Sequence, residues 1–253
     1  MKRLVQSALR RLGYELRRVP SGRSPHANLR DVSEQERRTI ESVLPFTNTS
    51  VERVLALINA VAYVTRSRIP GDITECGVWR GGSMMAVALT LLAHGDKSRK
   101  LFLYDTYEGM SQPTDHDTTS WGDSAAALLG RYPRGTGPWC HAGIDEVRAN
   151  LESTGYPKDM IVMVAGKVED TLPKHLPGQL SVLRLDTDWY ESTKHELTYL
   201  YPLLARNGVL IIDDYGHWEG ARKAVDEYFQ AQAGAHFLHR IDYTGRLLVK
   251  RDA

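Results

Sequence analysis

Cysteine is scarce: Cys76 and Cys140 are the only two in 253 residues, too few for a disulfide scaffold or a cysteine-rich zinc site. No run of about 18 apolar residues is present, so no membrane span is expected, and the N-terminus lacks the uninterrupted apolar core of a signal peptide. An excess of one charge is missing too. With 32 basic and 31 acidic residues the formal charge is +1, which gives no bulk attraction for nucleic acid, and none is expected as a partner. Neither Gly-x-Gly-x-x-Gly nor Gly-x-x-x-x-Gly-Lys-Ser/Thr occurs, so NAD and nucleoside triphosphates lose ground. No Pro/Gly/Ser linker splits the chain and no internal repeat is found. With 42% hydrophobic residues the chain can bury a core large enough for one α/β domain. A cytoplasmic enzyme is the expectation.

What is present centres on two short apolar runs that end in acids, Leu180 to Asp188 and Gly208 to Asp214. Between them, Leu197, Leu200, Leu203 and Leu204 show helical spacing, so a helix is expected over Tyr190 to Ala205, closed by Asn207-Gly208. Strand, helix and strand in that order form a βαβ unit. Neighbouring parallel strands place their carboxyl ends on one edge of the sheet, where Asp186, Asp213 and Asp214 would converge. Clustered carboxylates repel one another unless a cation or proton lies between them, and oxygen ligands suit Mg²⁺, Ca²⁺ or Mn²⁺. The plainer alternative is that these acids, Asp188 included, simply end strands and cap the next helix.

Upstream, Met1 to Val19 sets six basic residues around an apolar stripe. This basic amphipathic helix could touch an anionic membrane weakly, or pack on its own domain or a second subunit. Ser33 to Glu36 has the form of a capping box, and Ser50 to Arg66 carries a clear helical face. Asp72 to Gly77 reads as a strand, followed by the turn Val78-Trp-Arg-Gly-Gly-Ser83 and the helix Met84 to Ala93. A strand, a glycine-rich turn and a helix cradle a nucleotide-like ligand; Glu75 at the strand end would repel a pyrophosphate and suit a ligand bearing a cation. The strand Lys100 to Tyr104 ends at Asp105-Thr106, and an acid there can accept hydrogen bonds from a ribose diol or merely close a turn. Residues 107–140 read as an insertion at the active edge with one short helix near Ser124 to Leu129. Trp121, Tyr132 and Trp139 in it could line an acceptor pocket or cover the core. A helix over Ala142 to Leu151, a strand over Asp159 to Ala165, the turn Gly166 to Pro173, a helix over Trp218 to Ala233 and a hairpin of His236 to Ile241 with Arg246 to Lys250 complete the chain. Seven strands are expected, five of them in a parallel series.

Five segments, Gly71 to Ser83, Asp105 to Met110, Gly166 to Pro173, Leu185 to Ser192 and Ile212 to Gly216, together resemble the macrocin O-methyltransferase family, with the likeness running from about Asn48 to Lys250. The resemblance implies a Rossmann-like class I methyltransferase fold with helices on both faces of a mostly parallel sheet. Residues 1–66 would be a helical cap or dimerisation segment ahead of the methyltransferase domain at 67–253. It implies an S-adenosylmethionine- and Mg²⁺-dependent enzyme, a homodimer, acting on a hydroxyl of a deoxysugar in a natural product or glycan; a phenolic or catechol-like acceptor is the alternative. By position it assigns Asp186, Asp213 and Asp214 to the metal, Asp186 also to proton acceptance, and Glu75, Cys76, Gly77, Ser83, Asp105, Thr106, Gly166, Val168 and Glu169 to the cofactor. Trp189 stands where many relatives have a smaller residue. His217, beside the acidic pair, is an alternative proton relay. From the residues alone, a metal-dependent hydrolase and a non-catalytic interaction domain remain rivals.

Overall fold

A computed structural model describes residues 31–133, 136–232 and 234–251. The basic segment Met1 to Val19 lies outside the described residues.

Seven strands form one sheet in the order β3-β2-β1-β4-β5-β7-β6. They are β1 Asp72–Cys76, β2 Leu101–Asp105, β3 Ile161–Ala165, β4 Leu180–Leu185, β5 Leu204–Ile212, β6 His239–Arg240 and β7 Arg246–Val249. The first five run parallel, and β7 pairs antiparallel with both β5 and β6. The order reverses between β1 and β4, and such a switch point opens a crevice beyond the carboxyl ends of the two strands. All six residues of β4 are buried, as expected of a central parallel strand covered on both faces.

The helices are α1 Glu34–Val43, α2 Val51–Arg66, α3 Gly82–Ala93, α4 Ala125–Leu129, α5 Ile144–Ser153, α6 Val168–Thr171, α7 Tyr190–Tyr199 and α8 Glu219–Gln230. Ser33 caps α1 through the expected capping box. Val54, Leu57, Ile58 and Val61 of α2 share one core with Met84, Val87 and Leu91 of α3 and with Ile73 and Leu101 of the sheet. The opposite face has its own core, where Leu197 and Leu200 meet Leu183, Leu210 and Val225. Helices thus cover both faces, and α3 is apolar nearly all round because it lies between the sheet and the first two helices.

One boundary differs from the expectation. The helix after β4 stops at Tyr199, Pro202 sits in a 3₁₀ turn over Tyr201–Leu203, and Leu204 already pairs with Leu180. Proline lacks the amide that would continue the helix. Asn207-Gly208 therefore does not close a helix. It lies inside β5, where Asn207 at φ 63° forms an irregularity between the pairs Leu180↔Leu204 and Val182↔Val209. Asparagine tolerates the left-handed region at bulges as it does at helix ends, so the same dipeptide can mark either. The penultimate strand is also shorter than expected, only His239–Arg240.

Candidate active site

A cavity of about 650 Å³ opens at the carboxyl ends of β1, β2, β4 and β5. At one end stands the turn after β1. Gly77, at φ 81°, is required there, because a Cβ would lie 1.9 Å from the Asp186 carbonyl oxygen, so β1 and β4 can approach this closely only through a glycine. Asp105 ties the turn down: its Oδ2 accepts from the amides of Val78 at 2.6 Å and Trp79 at 3.1 Å, and its Oδ1 from Tyr107 at 2.8 Å. Trp79, Tyr107, Cys140 and Asp188 all hold positive φ at or beside this cavity, a conformation that costs energy in residues other than glycine.

Of the residues assigned to the cofactor from the sequence, Gly77, Ser83, Asp105, Thr106, Gly166, Val168 and Glu169 line the cavity. Glu75 and Cys76 are buried behind its wall. Glu75 turns to Arg184, its neighbour across the β1/β4 pair, with which it forms an ion pair. Desolvation pushes Glu75 up to about 8 in spite of that guanidinium. Its Oε2 meets no donor among the described residues.

The carboxylates of Asp186, Asp213 and Asp214 gather on the cavity floor, each offering an oxygen within 4.8 Å of the others. The parallel pairing of β4 with β5 sets this, since the amide of Asp213 donates to the carbonyl of Leu185 at 2.9 Å. Two cations that sequence reasoning missed lie among them. Arg184, 3% exposed, bridges Asp186 Oδ2 at 2.7 Å and Asp213 Oδ1 at 2.6 Å. Arg53, in the first turn of α2, pairs with the other oxygen of Asp213 and with Asp242 at 3.0 Å. A signal existed for the first: an arginine inside a buried strand must meet carboxylates.

These guanidiniums do not neutralise the group. Desolvation holds Asp186 up to about 6 and Asp188 up to about 8, and it raises Asp214 well above the usual carboxylate range, with neighbouring acids adding to the last two. Asp188 accepts from the Trp218 indole at 2.7 Å and belongs to no ion pair among the described residues. A set of hard oxygen donors that outnumber the guanidiniums beside them, at a cavity wall, fits Mg²⁺ once their protons are lost.

At the far end, His217 and Trp218 line the cavity, as do Leu128, Leu129, Tyr132 and Cys140 from the β2–α5 connection. Trp139 and Trp189, 6% and 2% exposed, pack with Leu129 and Ala125 as a small core under that connection, and Trp121 lies outside the cavity lining. His217 hydrogen bonds through Nδ1 with Tyr243, and desolvation lowers its pKa. A second hollow of about 630 Å³ between α1, α2 and α3 contains no such cluster of acids. No helix among the described residues is long and apolar enough to cross a membrane.

A family model described as macrocin-O-methyltransferase (TylF) matches residues 15–250. The 8-demethyl-8-(2,3-dimethoxy-alpha-L-rhamnosyl)-tetracenomycin-C 4'-O-methyltransferase of Streptomyces olivaceus is 35% identical over 199 residues, covering 79% of this chain and 73% of that protein. The demethyldecarbamoylnovobiocin O-methyltransferase of Streptomyces niveus is 33% identical over 182 residues, 72% of this chain and 67% of that protein. Among solved structures, the O-methyltransferase NovP superposes with a TM-score of 0.72 at 31% identity, covering 82% of this chain and 83% of that one.

Proposed function

This chain belongs to the macrocin O-methyltransferase family and is an S-adenosylmethionine-dependent O-methyltransferase, and from that premise we propose that it methylates a hydroxyl of a deoxysugar carried on a larger natural product, with Mg²⁺ held by Asp186, Asp213 and Asp214. The observation that carries the reading is that one cavity joins the glycine turn to the acid cluster, so a methyl donor and an acceptor hydroxyl can meet in it beside the acids that would hold a cation. The relatives' names supply the sugar.

S-adenosylmethionine supplies a methyl group already activated as a sulfonium, and a Mg²⁺ held by Asp186, Asp213 and Asp214 would supply Lewis acidity that favours loss of the acceptor hydroxyl's proton. The chain's residues do the rest. Gly77, Ser83, Asp105 and Thr106 shape the cofactor pocket together with Gly166, Val168 and Glu169, Gly166 lying beside Asp105 at the end of the neighbouring strand. Arg184 and Arg53 fix the rotamers of Asp186 and Asp213. The 107–140 stretch walls the acceptor side with Leu128, Leu129 and Tyr132. Asp186 accepts the hydroxyl proton during transfer, with proximity making up for its weak basicity.

A specific observation favours a second acceptor for that proton. Asp186 is committed to Arg184, whereas Asp188 faces the same cavity without an ion pair. Asp188→Asn and Asp186→Asn separate the two. If Asp188 takes the proton, D188N retains Mg²⁺ affinity by calorimetry and loses about 10²–10⁴-fold in kcat. If D188N stays active while D186N loses both turnover and Mg²⁺ binding, Asp186 serves both purposes.

The acceptor is tested with labelled S-adenosylmethionine offered deoxysugar glycosides, nucleotide sugars and catechols, followed by mass spectrometry of the products. Transfer to a glycoside and not to its nucleotide sugar places the step after glycosyl attachment, which is the expected order. Transfer confined to catechols would rule out the sugar. EDTA should abolish turnover while leaving cofactor binding largely intact, and full activity in the chelated enzyme would remove the metal from the mechanism.

A further inference from the structure

Trp121 is 71% exposed, and Tyr243 beside it is 43% exposed. Their ring centroids lie 5.7 Å apart with planes inclined at 31°, and Trp121 is also 5.7 Å from the ring of His217. Large aromatic groups left in water beside a cavity are costly and ask for a ligand. The tip that carries Trp121 is pinned. Thr119 bridges Trp218, the Ser120 amide donates to the His217 carbonyl at 2.8 Å, and the Thr119 hydroxyl accepts from the amides of Trp121 and Asp123 at 3.3 and 3.1 Å. Buried Asp117 anchors the base of the tip by accepting from the Tyr190 amide at 2.8 Å. Tyr243 is fixed in turn by Ser120 and His217, at 3.0 and 3.2 Å from its hydroxyl. An aromatic surface with so little freedom left loses little entropy on binding.

The surface is continuous with the cavity. His217 touches both exposed rings and also lines the cavity, and next to it Trp218 bonds Asp188. A group held at the acids and extending outward therefore meets Trp121 and Tyr243 next. We propose that Trp121 and Tyr243 form a platform outside the cavity that stacks the flat, apolar part of the acceptor to which the sugar is attached. This rests on the glycoside reading above and adds to it that the aglycone is planar and apolar, and is recognised by stacking.

The test is calorimetry on the full chain saturated with S-adenosylhomocysteine, using 4-methylumbelliferyl α-L-rhamnoside and methyl α-L-rhamnoside, with Trp121→Ala, Trp121→Phe and Tyr243→Phe as variants. The native chain should bind the aryl glycoside about tenfold more tightly than the methyl glycoside. W121A should erase that preference without changing affinity for the methyl glycoside, W121F, which keeps a ring, should retain most of it, and Y243F, which keeps a ring without the two hydrogen bonds that fix it, should retain part. Equal binding of both glycosides by the native chain overturns the platform and leaves the sugar reading standing. The platform is likewise overturned if W121A keeps the preference, or if W121A instead dissolves a dimer of the native chain that shows no aryl preference. Binding of free 4-methylumbelliferone that depends on Trp121, with neither glycoside bound, supports the platform and overturns the sugar. Absence of binding by all three probes overturns both.

Discussion

A guanidinium 3% exposed near the carboxyl end of a central strand survives only where carboxylates and hydrogen bonds replace its lost water. Arg184 has three such partners, Glu75, Asp186 and Asp213, so it sets the charge balance and holds two of the three acids in place. Removing one member of a buried ion group leaves the others uncompensated, at a cost of about 3–5 kcal/mol. Arg184→Met should lose that much in urea denaturation. Adding Glu75→Leu should recover part of it, because residues in contact are not additive. If the double variant instead loses the simple sum of the two single effects, Glu75 and Arg184 are energetically independent, and Glu75 must be sought in another role.

At the scale of elements, the close approach of β1 and β4 joins the glycine turn to the acid cluster. Gly77→Ala would drive a Cβ into the Asp186 carbonyl, displacing both the turn and the first acid. The variant should lose affinity for S-adenosylhomocysteine and for Mg²⁺ together. Gly95→Ala also sits at positive φ, 73°, but with nothing within 4 Å, so it should cost only about 1–2 kcal/mol of backbone strain and leave both affinities alone. Loss of cofactor affinity with Mg²⁺ affinity intact would show that the two ends of the cavity are not coupled through this contact. The strands were legible in the sequence because short apolar runs recur between helical patterns, the second, fourth and fifth of them running into acids at Asp105, Asp186 and Asp213, and the convergence of Asp186 with Asp213 and Asp214 follows from adjacent parallel strands alone. Three things were not legible. Pro202 ended a helix whose leucine spacing continued past it, since Leu204 serves a strand core as well as a helix face. Arg53 joins the acids from a helix some 160 positions away, and no local pattern reports a contact at that separation. The tryptophans look alike in sequence, yet Trp139 and Trp189 are core and Trp121 is surface, a division made by the docking of residues 117–124 on 217–219.

For the whole molecule, the acid cluster ties folding stability to protons and, on the proposed reading, to Mg²⁺. In the metal-free chain, desolvation holds Glu75 up to about 8, Asp186 to about 6, Asp188 to about 8, and Asp214 higher than usual. In the unfolded chain these groups titrate near about pH 4. From about pH 4 to about pH 8 the folded state therefore binds more protons than the unfolded state, so stability falls as pH rises through that window and levels off above the folded values. Carboxylates that bind protons at low pH are the ones offered to a cation at high pH, and the two compete. Thermal melts in EDTA should decline steadily from about pH 5 to about pH 8.5. Millimolar Mg²⁺ should leave the acidic melt almost unchanged and raise the alkaline one. At a hundredfold excess over Kd the gain is about 2.7 kcal/mol, and each kcal/mol is worth about 2–4 °C in a domain of this size. Asp214→Asn should flatten the pH dependence and shrink the Mg²⁺ shift together, because it removes one group from both equilibria. An equal Mg²⁺ shift at both pH values, or one that survives in D214N, would mean that the cation binds elsewhere and that the acids on the cavity floor titrate independently of it.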